Sequence, residues 1–435
     1  MRTIAVIGAG LAGLSAAVEL SLQGIPVTVF EQRPRAGGRA YSFVDAESGE
    51  TVDNGQHAMI GGYAATLRLL DLIGSREHLW KQPRPSLVFH HPERGFSDFS
   101  LPHLPSPFHL VAGILSTRLF TLSDKMRLLS AGGTLRHLGA HEKTLEQLTA
   151  DQWLRSLGQT DEARRSFWEP LVVAIMNERS EKASALLFAR CLYHAFIESE
   201  QNATLLLPSV GLSELFVDPA CALIERSGGS VRLQTRVTAI TMEGGIARRV
   251  LIADGTSVEV SSVIVAVPPW SVVPLVPSLA DHAGAFTASP IVSIHFWFED
   301  QVMESPLVGI IGRTVQWVFD RRKIAEKTRG GGHISCVVSS AEELVDKENK
   351  EILKIAEADI STVFGKNALR PTRGMVIRER KATFSPEPAV EHLRPQTKTA
   401  IPNLFLAGDW TNTGLPGTLE GAVLSGRMAA EAVRA

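Results

Sequence analysis

Cysteine is scarce: three residues in 435, Cys191, Cys221 and Cys336, lie far apart and form no CxxC pair. That excludes a disulfide framework and a thiolate zinc site, implies no metal, and points to a reducing compartment. An excess of one charge is missing too. Forty-four Lys and Arg against 46 Asp and Glu leave a formal charge of −2, with no basic tract, so nothing electrostatic recruits nucleic acid. Long apolar runs are also absent. Prolines interrupt the two nearest candidates, Pro102–Phe120 and Val263–Ala280, before either reaches spanning length. The start, MRTIAVIGAG, reads as a strand entering a turn and lacks a signal peptide's apolar core and cleavage site, so a cytoplasmic protein is expected. For Pro102–Phe120 two readings stand. One is a buried or lid helix; the other is a surface that dips into one leaflet on the inner face of the cytoplasmic membrane.

What is present is an ordinary globular composition, 44% apolar and 21% charged, in a chain longer than one core usually supports. The opening reads as strand (Thr3–Ile7), helix (Leu11–Leu22), glycine stop at Gly24, and strand (Val27–Phe30), a βαβ unit that implies a parallel sheet. From about Asp71 to Thr204 the pattern is mainly helical, with a proline-rich approach near Pro83–Pro107. Strand patterns return between Ser230 and Pro269 with turns as in hairpins, then at Ser293–Phe298 and Thr314–Phe319, and Ala341–Phe364 reads as an amphipathic helix. The last segment repeats the strand, glycine turn and helix.

Gly8, Gly10 and Gly13 form GxGxxG after a strand and at the mouth of a helix. The first glycine makes the turn, the second admits a pyrophosphate, and the third lets helix and strand approach; the helix start, Leu11 and Ala12, faces the phosphate charge. Glu31, beside Gln32, ends the next strand where an acid can accept from a ribose hydroxyl. RPRAGGRAYS follows, with Gly38 for close approach and Arg39 as a fork of donors. Leu406-Ala-Gly-Asp409 then precedes Thr418-Leu-Glu-Gly-Ala-Val423 at the start of the final helix.

These elements resemble the flavin-dependent amine oxidase and carotenoid desaturase superfamily. The resemblance implies FAD rather than NAD, with Gly38 and Arg39 near phosphate, and Asp409 near the ribityl or pyrophosphate region. It also implies Val237 at the adenine and Gly408, Gly417, Thr418 and Ala422 near the flavin. The implied fold is α/β: a Rossmann-like FAD-binding domain of the glutathione-reductase type, interleaved with an α+β substrate domain. The expected division is 1–70, 205–270 and 395–435 for the first, 71–204 and 271–394 for the second. An amine oxidase usually carries a tyrosine where this chain has Thr418, and no tyrosine follows Tyr193.

DNGQHAMIGGY (Asp53–Tyr63), WEPLVVAIMNERSEKASA, LLLPSVGLSELFVDPA and AGDWTNTGLPGTLEGAVLSG are similar to the bacterial hydroxysqualene dehydroxylases, departing at Gly417-Thr418-Leu419. That resemblance implies reductive loss of an allylic hydroxyl from a C30 isoprenoid, within squalene and hopanoid biosynthesis. The chemistry needs a proton donor, a dry apolar tunnel and a placed flavin. Asp53, His57 and Tyr63 are the catalytic candidates, with Gln56 a further polar group. For His57 two roles stay open, proton donor or structural ring holding the loop. Phe167, Trp168, Phe196, Phe296 and Trp297 either line the tunnel or are plain core. A carotenoid-type desaturase and a non-catalytic prenyl-binding protein on the same fold are the competing readings.

Overall fold

The computed structural model describes residues 3–325, 331–365 and 370–434. At its centre lies a five-stranded parallel sheet in the order Ser230–Arg232, Val27–Phe30, Ile4–Ile7, Ser262–Val265 and Leu404–Leu406. The inner strands are buried on both faces, which is why Ile4–Ile7, Val27–Phe30 and Ser262–Val265 read as apolar runs rather than alternating ones. The opening helix, Leu11–Ser21, lies against the closing helix, Leu419–Arg434. Only glycine allows that approach. A Cβ on Gly426 would stand 2.1 Å from the Ala12 carbonyl oxygen, and one on Gly13 would stand 2.0 Å from the Gly8 carbonyl oxygen.

A seven-stranded mixed sheet runs Arg373–Phe384, Ala288–Phe298, Gly332–Ser339, Trp317–Asp320, Leu307–Ile310, Ser86–His91 and Gly95–Ser100. Alternation along its strands divides it into two faces. Val292, Ile294 and Phe296 on the long strand and Ile334, Cys336 and Val338 beside it pack on Ile352, Ala356 and Ile360 of the helix Asn349–Phe364. The opposite face carries Trp317, Phe319, Val337 and Leu307 and turns toward the helical block around Trp153, Trp168 and Phe188.

Two expectations change. The proline-rich approach contains a hairpin, Ser86–His91 with Gly95–Ser100, whose prolines flank the strands instead of breaking them. Of the strands between Ser230 and Pro269, only Val237–Glu243, Ile246–Ile252 and Ser257–Glu259 form antiparallel hairpins; the runs before and after them join the parallel sheet. All five parallel strands lie within 1–70, 205–270 and 395–435. We propose to keep that division, with 71–204 and 271–394 as the second unit; residues 1, 2, 326–330, 366–369 and 435 lie outside the described residues.

Gly426→Ala is expected to lower stability by at least about 1–3 kcal/mol, the usual cost of overpacking. Urea unfolding of the variant beside the parent protein measures it.

Candidate functional site

Between the parallel sheet, the mixed sheet and the helical block lies one continuous cavity of about 1520 Å³. Drug-sized ligands occupy roughly 300–1,000 Å³, so this space exceeds the need of one such molecule. At one end it is lined by the glycine turn and helix start (Gly8, Gly10, Leu11, Ala12), the strand end Glu31 and Gln32, and Gly38 and Arg39. Val237 adjoins them, and Gly408, Asp409, Gly417, Thr418 and Ala422 come in from the far end of the chain. Gly8 makes its turn at φ +106°, where a side chain would also run into the Ala266 carbonyl 2.6 Å away. Gly13 does not reach the cavity; its role is the close packing described above.

The Glu31 carboxylate is held in place by two backbone amides, Ala9 N–H to Oε2 and Arg33 N–H to Oε1, each at 2.9 Å. Arg39 is already engaged. It donates to the Ala382 carbonyl at 2.8 Å and to Asp409 Oδ1 at 2.7 Å. Burial alone would push its pKa down, but the ion pair with Asp409 outweighs that and raises it. Thus the two motifs that bracket the sequence meet as one ion pair on the cavity wall.

The stretch Asp53–Tyr63 is strand, loop and helix start. Met59 and Ile60 pair with Leu205 and Leu206, and Ala64–Ile73 follows as a helix. Gly61 is needed for close contact, since its Cβ would lie 2.1 Å from the Gln201 carbonyl oxygen. Gln56, His57 and Tyr63 face the cavity. Asp53 lies behind the wall: it is buried, and its Oδ1 accepts from Ser42 Oγ at 2.8 Å and Leu212 N–H at 2.9 Å. Its other oxygen is 3.6 Å from Arg321 Nη2.

His57 lies against the backbone of Arg39, whose carbonyl accepts from Asn54 Nδ2 at 3.0 Å. Burial lowers the His57 pKa; Asp53 opposes the shift and Arg39 adds to it. A neutral ring carries one proton and a protonated ring two, so the protonated form is the stronger donor. The Tyr63 hydroxyl lies near the Thr418 side chain, and burial pushes its pKa up. Cys191, close by, is pushed up to about 12 by burial and stays a thiol.

The other end of the cavity is apolar, lined by Leu87, Phe99, Leu101, Leu171, Ile175, Phe196, Ile291, Leu307, Trp317, Phe319 and Val337. Of the five aromatic tunnel candidates only Phe196 is on this wall. Phe167 and Trp168 lie in the helical core, Phe296 points to the opposite sheet face, and Trp297 stacks on His333 at 4.5 Å.

Two residues outside the set of candidates shape the site. Glu420 caps a helix other than its own. Its carboxylate accepts from the amides of Ala65 and Thr66, both at 2.8 Å, and from Thr66 Oγ1 at 2.7 Å, so the closing helix anchors the segment carrying Tyr63. Arg394, fully buried, donates to the carbonyls of Asp409 and Thr411 at 3.1 and 2.6 Å and holds the Gly408–Thr411 turn. The acid at a helix start was a visible signal for Glu420; nothing local marks Arg394.

A family model described as flavin containing amine oxidoreductase matches residues 11–434. The chain belongs to that family. Its similarity to a hydroxysqualene dehydroxylase of Sinorhizobium fredii is 31% identity over 99% of this chain and 98% of that one. A hydroxysqualene dehydroxylase of Rhodopseudomonas palustris is also 31% identical, over 100% and 99%. A probable zeta-carotene desaturase of Synechococcus elongatus is 25% identical over 99% and 98%. Among solved structures, a redesigned putrescine oxidase superposes with a TM-score of 0.78 at 19% identity, covering 100% of this chain and 98% of that one, which shows the shared fold. As a flavin amine oxidoreductase family member the chain is an FAD-dependent oxidoreductase. The site suits that cofactor: a glycine turn at a helix N-terminus, an amide-held acid at the next strand end and an elongated cavity that continues past both.

Arg39→Met and Asp409→Asn each remove one half of the wall's ion pair. Both variants are expected to purify with a lower flavin-to-protein ratio than the parent, read by absorbance.

Proposed function

We propose that this chain removes the hydroxyl of hydroxysqualene by reduction, giving squalene. Hydroxysqualene, a hydride and one proton yield squalene and water, so atoms and charge balance. The observation that carries this reading is the union of a polar end bearing His57 and Tyr63 with a long apolar end in one cavity, in a chain similar along its whole length to two hydroxysqualene dehydroxylases.

Bound reduced FAD supplies the hydride. The residues assigned to holding it are the Gly8–Ala12 turn and helix start for the pyrophosphate, Glu31 for a ribose hydroxyl and Val237 for the adenine. Arg39 with Asp409 serves the region between, and Gly417, Thr418 and Ala422 the flavin end. The apolar wall from Leu87 to Val337 takes the C30 chain and excludes water, which protects an allylic carbon as its positive charge develops. Hydroxide leaves poorly, so protonated His57 donates to the hydroxyl oxygen as the C–O bond breaks. Tyr63 orients that oxygen through its own hydroxyl. Asp53 acts from behind the wall, its charge favouring the protonated ring.

The same cavity is bounded by Leu101, against which Gly113 of the helix Phe108–Ser116 packs. Along the same stretch of chain Leu104, Phe108, Leu115, Leu122 and Met126 are exposed, as are Arg118 and Arg127. No helix among the described residues is long and apolar enough to cross a membrane. An apolar patch with basic neighbours matches a surface that rests in one leaflet, from which an oily substrate enters.

Anaerobic mixing of the reduced holoenzyme with hydroxysqualene is expected to reoxidise the flavin and form squalene; bleaching of oxidised flavin by phytoene would instead identify a desaturase. Because the folded pKa of His57 lies below its usual value, the rate should rise as pH falls from neutral. His57→Gln should keep FAD bound and slow the step roughly 10²-fold or more. The parent protein is expected to co-sediment with anionic phospholipid vesicles, and Phe108→Asp with Leu122→Asp to abolish that co-sedimentation.

A further inference from the structure

The mixed sheet's cavity face changes character along its length. Ile291 and Val337 line the apolar wall, but the next residues on that face are Ser293 and His295 on one strand, and Ser335 and His333 on its partner. His295 stands opposite Ser335, and Trp297 opposite His333. Four of these polar residues are almost fully buried: Ser335 at 0%, Ser293 at 1%, His295 at 2% and His333 at 4% exposure.

Several of their polar atoms have no hydrogen-bond partner among the described residues. Ser293 Oγ, Ser335 Oγ and His295 Nε2 are in that state, as are Asp53 Oδ2 and Gln56 Nε2 just above them. The His295 ring lies near the Asp53 backbone without reaching hydrogen-bond geometry. Ser293 Oγ sits beneath Gly55, 3.4 Å from where its Cβ would be, and Gly55 is on the cavity wall. Folded proteins leave few such atoms unpaired, and buried water bonding about two to four of them is the common remedy.

The row continues outward. His295 Nδ1 is 3.2 Å from His333 Nε2, and His333 Nδ1 is 3.4 Å from Glu50 Oε2. Glu50 is partly exposed and fixed by Arg322 at 2.5 Å and by the Trp297 indole N–H at 3.0 Å. We propose that Glu50, His333, His295, Ser335 and Ser293, joined by buried water, form a proton path that leads from solvent to the Asp53–His57 loop. These are positioning and transfer groups, since none touches the substrate.

The inference rests on the proposed dehydroxylation, which consumes one proton per turnover inside a cavity that excludes water. That proton ends in the departing water, and His57 must be recharged by a route that does not cross the apolar end. The groups facing the two histidines are Asp53 and Glu50 from one side, Arg321 and Arg322 from the short helix Arg321–Ile324, and Arg373 over the Trp297 ring. Burial first, and then the second ring and Arg321, hold His295 well below the ordinary histidine value. Burial also lowers His333, against the pull of Glu50. Both rings rest neutral, the state in which an imidazole accepts at one nitrogen and releases at the other.

The test is anaerobic reoxidation of the reduced holoenzyme by hydroxysqualene, in light and heavy water, for the parent, His295→Phe, His295→Gln and Ser335→Ala. With FAD content unchanged, His295→Phe is expected to be about tenfold slower at neutral and higher pH, less than the roughly 10²-fold of losing the acid itself. The deficit should narrow as pH falls, since a growing share of His57 then enters the reaction already protonated, and the solvent isotope effect should grow. Ser335→Ala, which removes one oxygen and threatens folding least, should show the same pattern more weakly. Variant rates that superimpose on the parent's across pH, or that fall equally at every pH, would overturn the path. So would a crystal structure with no ordered water on Ser293, Ser335 or His295. If the parent itself fails to be reoxidised by hydroxysqualene, the proposed reaction falls and takes the path with it.

Discussion

The absence of a Cβ at Gly426 is what lets the closing helix settle on the Ala12 carbonyl, and the cavity depends on that contact. With the two helices that close, Gly408, Asp409 and Thr418 reach the wall already formed by Gly8, Gly10 and Arg39. The ion pair between Arg39 and Asp409 and the three hydrogen bonds from Ala65 and Thr66 to Glu420 then tie residues more than 350 positions apart. Charge-assisted bonds of this kind are stronger than neutral ones and are directional, so they fix orientation as well as proximity. The loop bearing His57 is held at both ends by them, through Arg39 before it and Glu420 after it.

The second constraint is the two-residue period of the mixed sheet. One face of the long strand Ala288–Phe298 is core against a helix; the other gives the cavity Ile291 and then turns polar. A single strand thus passes from an apolar region to a polar one within a few residues. The division suits a reaction that must shield a developing cation and yet take up a proton. It also explains why aromatic content alone was a poor guide to the tunnel: Phe296 and Trp297 are neighbours in the chain and face opposite sides of the sheet.

Much of the nucleotide-binding half was legible because its chemistry is local. A glycine turn, a strand-ending acid and a helix start lie within a few residues of one another, and each is required by backbone geometry at that point. The hairpin at Ser86–Gly95 and the course of the strands after Ser230 were less legible, because whether a short apolar run pairs with its neighbour or with a distant strand depends on partners that local pattern does not specify.

The amino-acid sequence by itself determined the family, the cofactor class, the opening βαβ unit and the identity of the polar residues in Asp53–Tyr63. Tertiary structure decided what those residues do. It put Asp53 behind the wall rather than on it, spent the donors of Arg39 on Asp409 and a carbonyl, and made Glu420 cap a helix far from its own. It also assembled Glu50, His295 and His333, which carry no motif, into one row that runs from a partly exposed acid to buried imidazoles. The reason is physical. Burial and long-range pairing set protonation and hydrogen bonding, and both arise only when distant segments are brought into contact.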